Sequence, residues 1–77
     1  MRITFHEFTM GDVDDVEIYA AQPIYEWQQT PQGRWVMEHA QDLKFYTFPD
    51  QSTFGYRVTI RGEIEDKLAT EFFLRWR

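Results

Sequence analysis

Pro23-Ile24-Tyr25-Glu26-Trp27-Gln28-Gln29-Thr30-Pro31-Gln32-Gly33-Arg34-Trp35-Val36-Met37-Glu38-His39-Ala40 is the stretch on which the fold turns. It holds two of the three tryptophans and two of the three prolines. Thr30-Pro31 is a helix start. A threonine oxygen accepts a hydrogen bond from a free first-turn N–H, and proline at the first helical position gives up an N–H that has no partner there anyway. Beyond Pro31, the residues Trp35, Val36, His39 and Ala40 recur on one face at helical period. Pro23 offers a similar start, with Ile24 and Trp27 on the buried side. A single helix running through Pro31 would lose a backbone bond and meet a clash, at about 3 kcal/mol. The stretch therefore predicts two helical pieces with a break near Thr30.

Working outward, the segments downstream alternate. Between Asp42 and Phe48, Leu43, Phe45 and Thr47 share one face, and Lys44, Tyr46 and Phe48 share the other. Pro49-Asp50-Gln51-Ser52 has turn chemistry. From Thr53 to Glu65, Phe54, Tyr56, Val58, Ile60 and Ile64 lie opposite Arg57, Thr59, Arg61 and Glu63. Glu65-Asp66-Lys67 reads as a tight reversal. Leu68, Thr70, Phe72, Leu74 and Trp76 then alternate with Ala69, Glu71, Phe73, Arg75 and Arg77, which predicts a last strand.

Upstream, Arg2 to Thr9 alternates with Ile3 and Phe5 on one face and Arg2, Thr4, His6 and Phe8 on the other. Met10-Gly11-Asp12 is a turn. Asp12 or Asp15 can cap a first helix with Ile18 and Ala21 or Gln22 inward; Val16 to Ala20 also fits a short strand. That helix is expected to stop at Gln22, because a residue before proline is pushed from helical angles.

These readings assemble into one α+β domain over residues 1–77. Its expected architecture is a four-stranded antiparallel sheet with two or three short helices packed on one face, in the order β-α-α-β-β-β. The first strand is expected beside the last. Trp35, Phe45, Val58, Ile60, Phe72 and Leu74 are the expected core.

Composition narrows the functional classes. Without cysteine, disulfides and thiolate metal sites are excluded. The core must carry the fold, and the 18% of aromatic residues supplies area, at about 150–250 Å² for each buried ring. No signal peptide or membrane-spanning run is read, and a domain without disulfides fits a reducing cytoplasm. The net charge is −5. All of it falls in residues 1–31, where Glu7, Asp12, Asp14, Asp15, Glu17 and Glu26 oppose only Arg2. Asp12 to Glu17 reads first as the acidic start of a helix, and otherwise as a patch for a basic partner.

Trp27-Gln28-Gln29-Thr30, Gly33 and Trp35-Val36-Met37-Glu38-His39 resemble a segment of small uncharacterised proteins of tailed phages. The resemblance covers about residues 15–40. It implies a viral protein acting in a host cytoplasm and carries no activity.

No catalytic set emerges. The glycines are scattered, so there is no phosphate loop. His6 and His39 lack metal-ligand spacing, and His39 reads as a core imidazole beside Trp35. Asp12, Asp14 and Asp15 lack the glycine and distal glutamate of a calcium loop. Ser52, the sole serine, sits in a turn without a neighbouring base. The expectation is a non-enzymatic protein without cofactor, metal or small-molecule substrate.

The informative constellation is the sheet face away from the helices. The alternation places Lys44, Tyr46, Phe48, Arg57, Arg61, Phe73 and Arg75 there, joined by Thr59, Glu63 and Glu71; Arg2, His6 and Phe8 of the first strand are candidates to extend it. Arginine and aromatic residues are enriched at protein interfaces, so the first reading is a homodimer or a contact with another protein. The alternative is single-stranded nucleic acid, with bases stacked on rings and phosphates held by cations. A third reading is a solvated face held by its own cross-strand pairs.

Overall fold

The computed structural model describes residues 1–52 and 54–76. Its elements are β1 (Arg2–Met10), α1 (Val16–Gln28), α2 (Pro31–His39), β2 (Gln41–Asp50), β3 (Gly55–Glu63) and α3 (Asp66–Arg75). The class is α+β, with a three-stranded antiparallel sheet and three helices. The expected strand positions Thr53 and Arg77 lie outside the described residues.

The break near Thr30 stands as expected. Thr30 Oγ1 accepts from the Gly33 N–H at 3.0 Å and its hydroxyl donates to the Trp27 carbonyl at 2.6 Å. One residue thus closes α1 and opens α2, with Pro31 in the first turn of the second helix. Gly33 lets the two helices cross closely, because a Cβ there would collide with the Trp27 carbonyl.

Two expectations about α1 fail. The helix does not stop at Gln22; it runs through Pro23 to Gln28, capped by Asp15, which accepts from the Ile18 N–H at 3.3 Å. Val16, Ala20, Ile24 and Trp27 make the inward stripe across that proline, and burying it outweighs the lost backbone bond. The same phase leaves Ile18, Ala21 and Gln22 exposed rather than inward.

The larger correction concerns the C-terminal segment. Residues 66–75 form a helix, so there is no fourth strand among the described residues. Residues four apart share a face at both periods, so Leu68, Phe72 and Trp76 fit either. Ala69 and Leu74 separate the two. Ala69 is 1% exposed and Leu74 is 59% exposed, as the helix requires. Ala, Leu, Lys and Glu are strong helix formers, and Asp66 and Arg75 stand at the ends that the helix dipole favours.

Without that strand, β1 pairs with β3 instead. The sheet order is β1-β3-β2, both pairs antiparallel. β1 and β2 are therefore parallel to each other, with α1 and α2 crossing between them and β3 inserted in the middle. The register slips between Thr4 and His6, a bulge that gives β1 an extra residue. Beyond it, His6 pairs with Ile60 and Phe8 with Val58, on the helix side. His6 and Phe8 consequently leave the outer face on which alternation had placed them. His6 stacks on Trp27 at 5.4 Å.

The core lies between the sheet and the helices. Phe5, Trp27, Trp35, Val36, Ile60, Ile64, Ala69 and Phe72 form one cluster. Phe5 meets Phe72 edge-on at 5.2 Å. Val58 is fully buried on the same side of the sheet. Four of the six expected core residues are buried: Trp35, Val58, Ile60 and Phe72. Leu74 and Phe45 are exposed, Leu74 on the outer side of α3 and Phe45 on the edge strand β2. No helix among the described residues is long and apolar enough to cross a membrane.

Candidate interaction surfaces

All three described helices pack into the one core, and none of them covers the second face of the sheet. The pairing register sets Lys44 beside Arg61, Tyr46 beside Thr59 and Phe48 beside Arg57 across β2 and β3. Across β1 and β3 it sets Arg2 beside Glu63, Glu7 beside Thr59 and Thr9 beside Arg57. Five of the expected site residues, Lys44, Tyr46, Phe48, Arg57 and Arg61, are thereby brought together. Phe73 and Arg75 are not among them, because they stand on α3. There Arg75 lies over Trp35 and Trp76 and pairs with Glu71 at 3.5 Å, one helical turn away.

The face is densely self-paired. The Arg61 guanidinium lies over Tyr46 at 5.4 Å and Phe48 at 5.7 Å. Arg2 donates to the Tyr46 hydroxyl at 2.8 Å, which raises the arginine pKa further above its ordinary value. Arg2 also approaches Glu63 at 3.5 Å and Asp42 at 3.8 Å. Arg57 approaches Glu7, and Lys44 approaches Asp42, each at 3.9 Å. The cations Arg2, Lys44 and Arg57 thus face the carboxylates Glu7, Asp42 and Glu63, and Arg61 faces the two rings. Such a face has almost no net field for a polyanion.

A second surface was not read from the sequence. β2 is an edge strand, so one row of its backbone N–H and C=O groups has no partner strand among the described residues. Along it runs an apolar groove of about 180 Å³, with Ile24 and Trp27 of α1, Met37 of α2, and Leu43 and Phe45 of β2 in its walls. Phe45 is 43% exposed and Met37 is 49% exposed. Pro49 inside the strand was the available signal, because proline is confined to edges and bulges of a sheet.

The remaining candidate groups of the described residues are accounted for locally. The described residues contain no group of three or more His, Asp or Glu side chains placed to hold a metal ion. His39 holds its ring against Trp35 at 4.3 Å, with Nδ1 at 2.7 Å from the Trp35 carbonyl, so that nitrogen carries the proton and donates. Ser52 Oγ donates to Asp50 at 2.7 Å within the turn. Compared with protein-family models, curated proteins and solved structures, the chain finds no match.

Proposed function

We propose that this chain is a protein-interaction module that self-associates through the β2 edge and does no chemistry of its own. The observation that carries this reading is the coincidence of an unpaired strand edge with exposed Phe45 and Met37 beside an apolar groove. Main-chain hydrogen bonds supply affinity in strand addition, and side-chain pockets supply specificity.

A second copy fits that edge. The ladder is regular from Lys44 to Phe48, between the irregularity before Lys44 and Pro49. Antiparallel pairing of two such segments about a two-fold axis at Tyr46 sets Lys44 opposite Phe48 of the other copy. It sets Phe45 opposite Thr47. Like charges are not opposed, and all helices stay on one side of a continuous six-stranded sheet. The phage resemblance over residues 15–40 supplies a setting, an accessory protein in an infected cell.

Single-stranded nucleic acid is the second reading, favoured by Arg61 between Tyr46 and Phe48. The interleaved carboxylates weigh against it. Sedimentation equilibrium at micromolar concentration tests the first reading. A dimer is expected for the native chain and a monomer for Phe45→Glu, which places two unneutralised carboxylates, one from each copy, in the joined sheet only if the edges meet. A native chain that stays monomeric at high concentration overturns the reading. Oligonucleotide binding that falls steeply with salt would move the function to the second.

A further inference from the structure

The centre of the open face has a polar cleft of about 280 Å³, lined by Glu7, Phe48, Arg57, Thr59 and Arg61. We propose that Arg57, Thr59 and Arg61 form a binding site for a carboxylate group presented by a partner protein. This goes beyond self-association at the β2 edge and does not rest on it.

The site is built into the middle strand. Arg57, Thr59 and Arg61 alternate along β3, so their side chains rise from the same face at intervals of about 6.5–7 Å. Among the described residues Thr59 is the one buried polar residue, at 3% exposure, and its Oγ1 has no hydrogen-bond partner there. The buried Nε of Arg61 likewise has none. Buried polar groups in folded proteins nearly always find partners, because an unmade bond leaves the desolvation cost uncompensated. Both residues line the cleft, where rotation of either side chain would present its donor to a bound group. Arginine Nε can only donate, and a threonine hydroxyl can donate, so the complementary group is an acceptor.

The charges agree. Arg61 has no carboxylate within ion-pair distance among the described residues, and the rings of Tyr46 and Phe48 hold its guanidinium in place. Arg57 reaches Glu7 only at 3.9 Å, too far for a hydrogen bond. Two guanidiniums flanking a hydroxyl suit a planar, two-oxygen anion. A single carboxylate is favoured over a phosphate chain because Glu7, Asp42 and Glu63 share the face. One monovalent group can sit between them, whereas a polyanion must pass over all three.

The test is an NMR titration of the full chain at constant ionic strength. The probes are acetate, an end-capped peptide carrying a single glutamate and a thymidine oligonucleotide, with chloride as the reference salt. Arg Nε–H and backbone amide signals of residues 57, 59 and 61 report binding. Saturable shifts with acetate and tighter binding of the peptide are expected. Thr59→Val keeps the side-chain volume and removes the orphaned hydroxyl, so the variant should fold at least as well as the native chain. It should weaken peptide binding by roughly tenfold, as should Arg61→Gln. Glu7→Gln removes the competing carboxylate and should tighten it. Shifts no different from those in chloride, or undiminished binding by Thr59→Val, overturn the proposal. An oligonucleotide that binds more tightly than the peptide also overturns it and assigns the face to nucleic acid. Sedimentation of the same variants reads the β2 dimer separately.

Discussion

The two faces of the sheet are made from the same three strands and are held by different forces. On the helix side, Phe5, Ile60 and Ile64 meet Trp27, Trp35 and Phe72, and stabilisation comes from removing apolar area from water. On the open side, Arg2, Glu7, Lys44, Arg57, Arg61 and Glu63 pair with one another and with two rings, most of them about half in solvent. Exposed ion pairs contribute about 0–1 kcal/mol each, against about 1.5–3 kcal/mol for each fully buried large apolar side chain. The difference assigns the tasks. The covered face makes the fold, and the pairs of the open face can be broken at small cost.

The largest expected effect tests that division. Trp35 is buried and touches Phe72, Trp76 and His39. Trp35→Ala should cost about 3–5 kcal/mol, enough to unfold a domain of this size. Phe72→Ala should cost a similar amount. Leu74→Ala should shift the urea midpoint very little, because Leu74 is exposed on α3. A Leu74 variant as damaging as the Phe72 variant would restore the strand reading of the C-terminal segment.

That last comparison also shows where the sequence was legible. Thr30-Pro31 could be read because its signal is local: a side-chain cap and a missing N–H act within four residues. β2 and β3 could be read because nothing competes with their period-two pattern. The segment after Glu65 could not be separated by alternation, since Leu68, Phe72 and Trp76 satisfy two periods at once. Only Ala69 and Leu74 distinguish them, supported by helix-forming composition. The error then spread. Without a fourth strand, Phe73 and Arg75 left the proposed site and β1 moved beside β3. The bulge before His6 turned two more residues to the other face, and alternation has no means of registering an inserted residue.

A smaller effect is expected where α1 and α2 cross. Gly33 has room for no side chain against the Trp27 carbonyl. Backbone cannot rotate aside as a flexible side chain can, so Gly33→Ala should push the helices apart at about 1–3 kcal/mol. The near-ultraviolet signal of Trp27 and Trp35 should change with it. A variant as stable as the native chain would mean that the crossing tolerates separation and that the helix layer is looser than its close approach implies.

On the open face the expected loss is smaller again. Arg57→Gln breaks the 3.9 Å approach to Glu7 between two half-exposed side chains. It should change stability by no more than about 1 kcal/mol, and less in high salt. A loss comparable to that of Phe72→Ala would show the two faces to be energetically equivalent and would break the comparison.

The smallest effect is a dependence on pH that belongs to the covered face. His6 lies against Trp27 and Phe8, and burial lowers its pKa from the ordinary 6.5 by disfavouring the charged ring. The unfolded chain therefore takes up a proton at a higher pH than the folded chain does. Between the two pKa values the unfolded state binds more protons, so stability falls as pH drops through 6.5 towards the folded value. Above that window the term is constant. His6→Phe keeps a ring against Trp27 and removes the proton. Urea midpoints at mildly alkaline and mildly acidic pH, measured for both proteins, isolate this term. The native chain should lose slightly more stability on acidification than the variant. Equal losses in the two would place the titrating group elsewhere and leave the His6–Trp27 stack as packing alone.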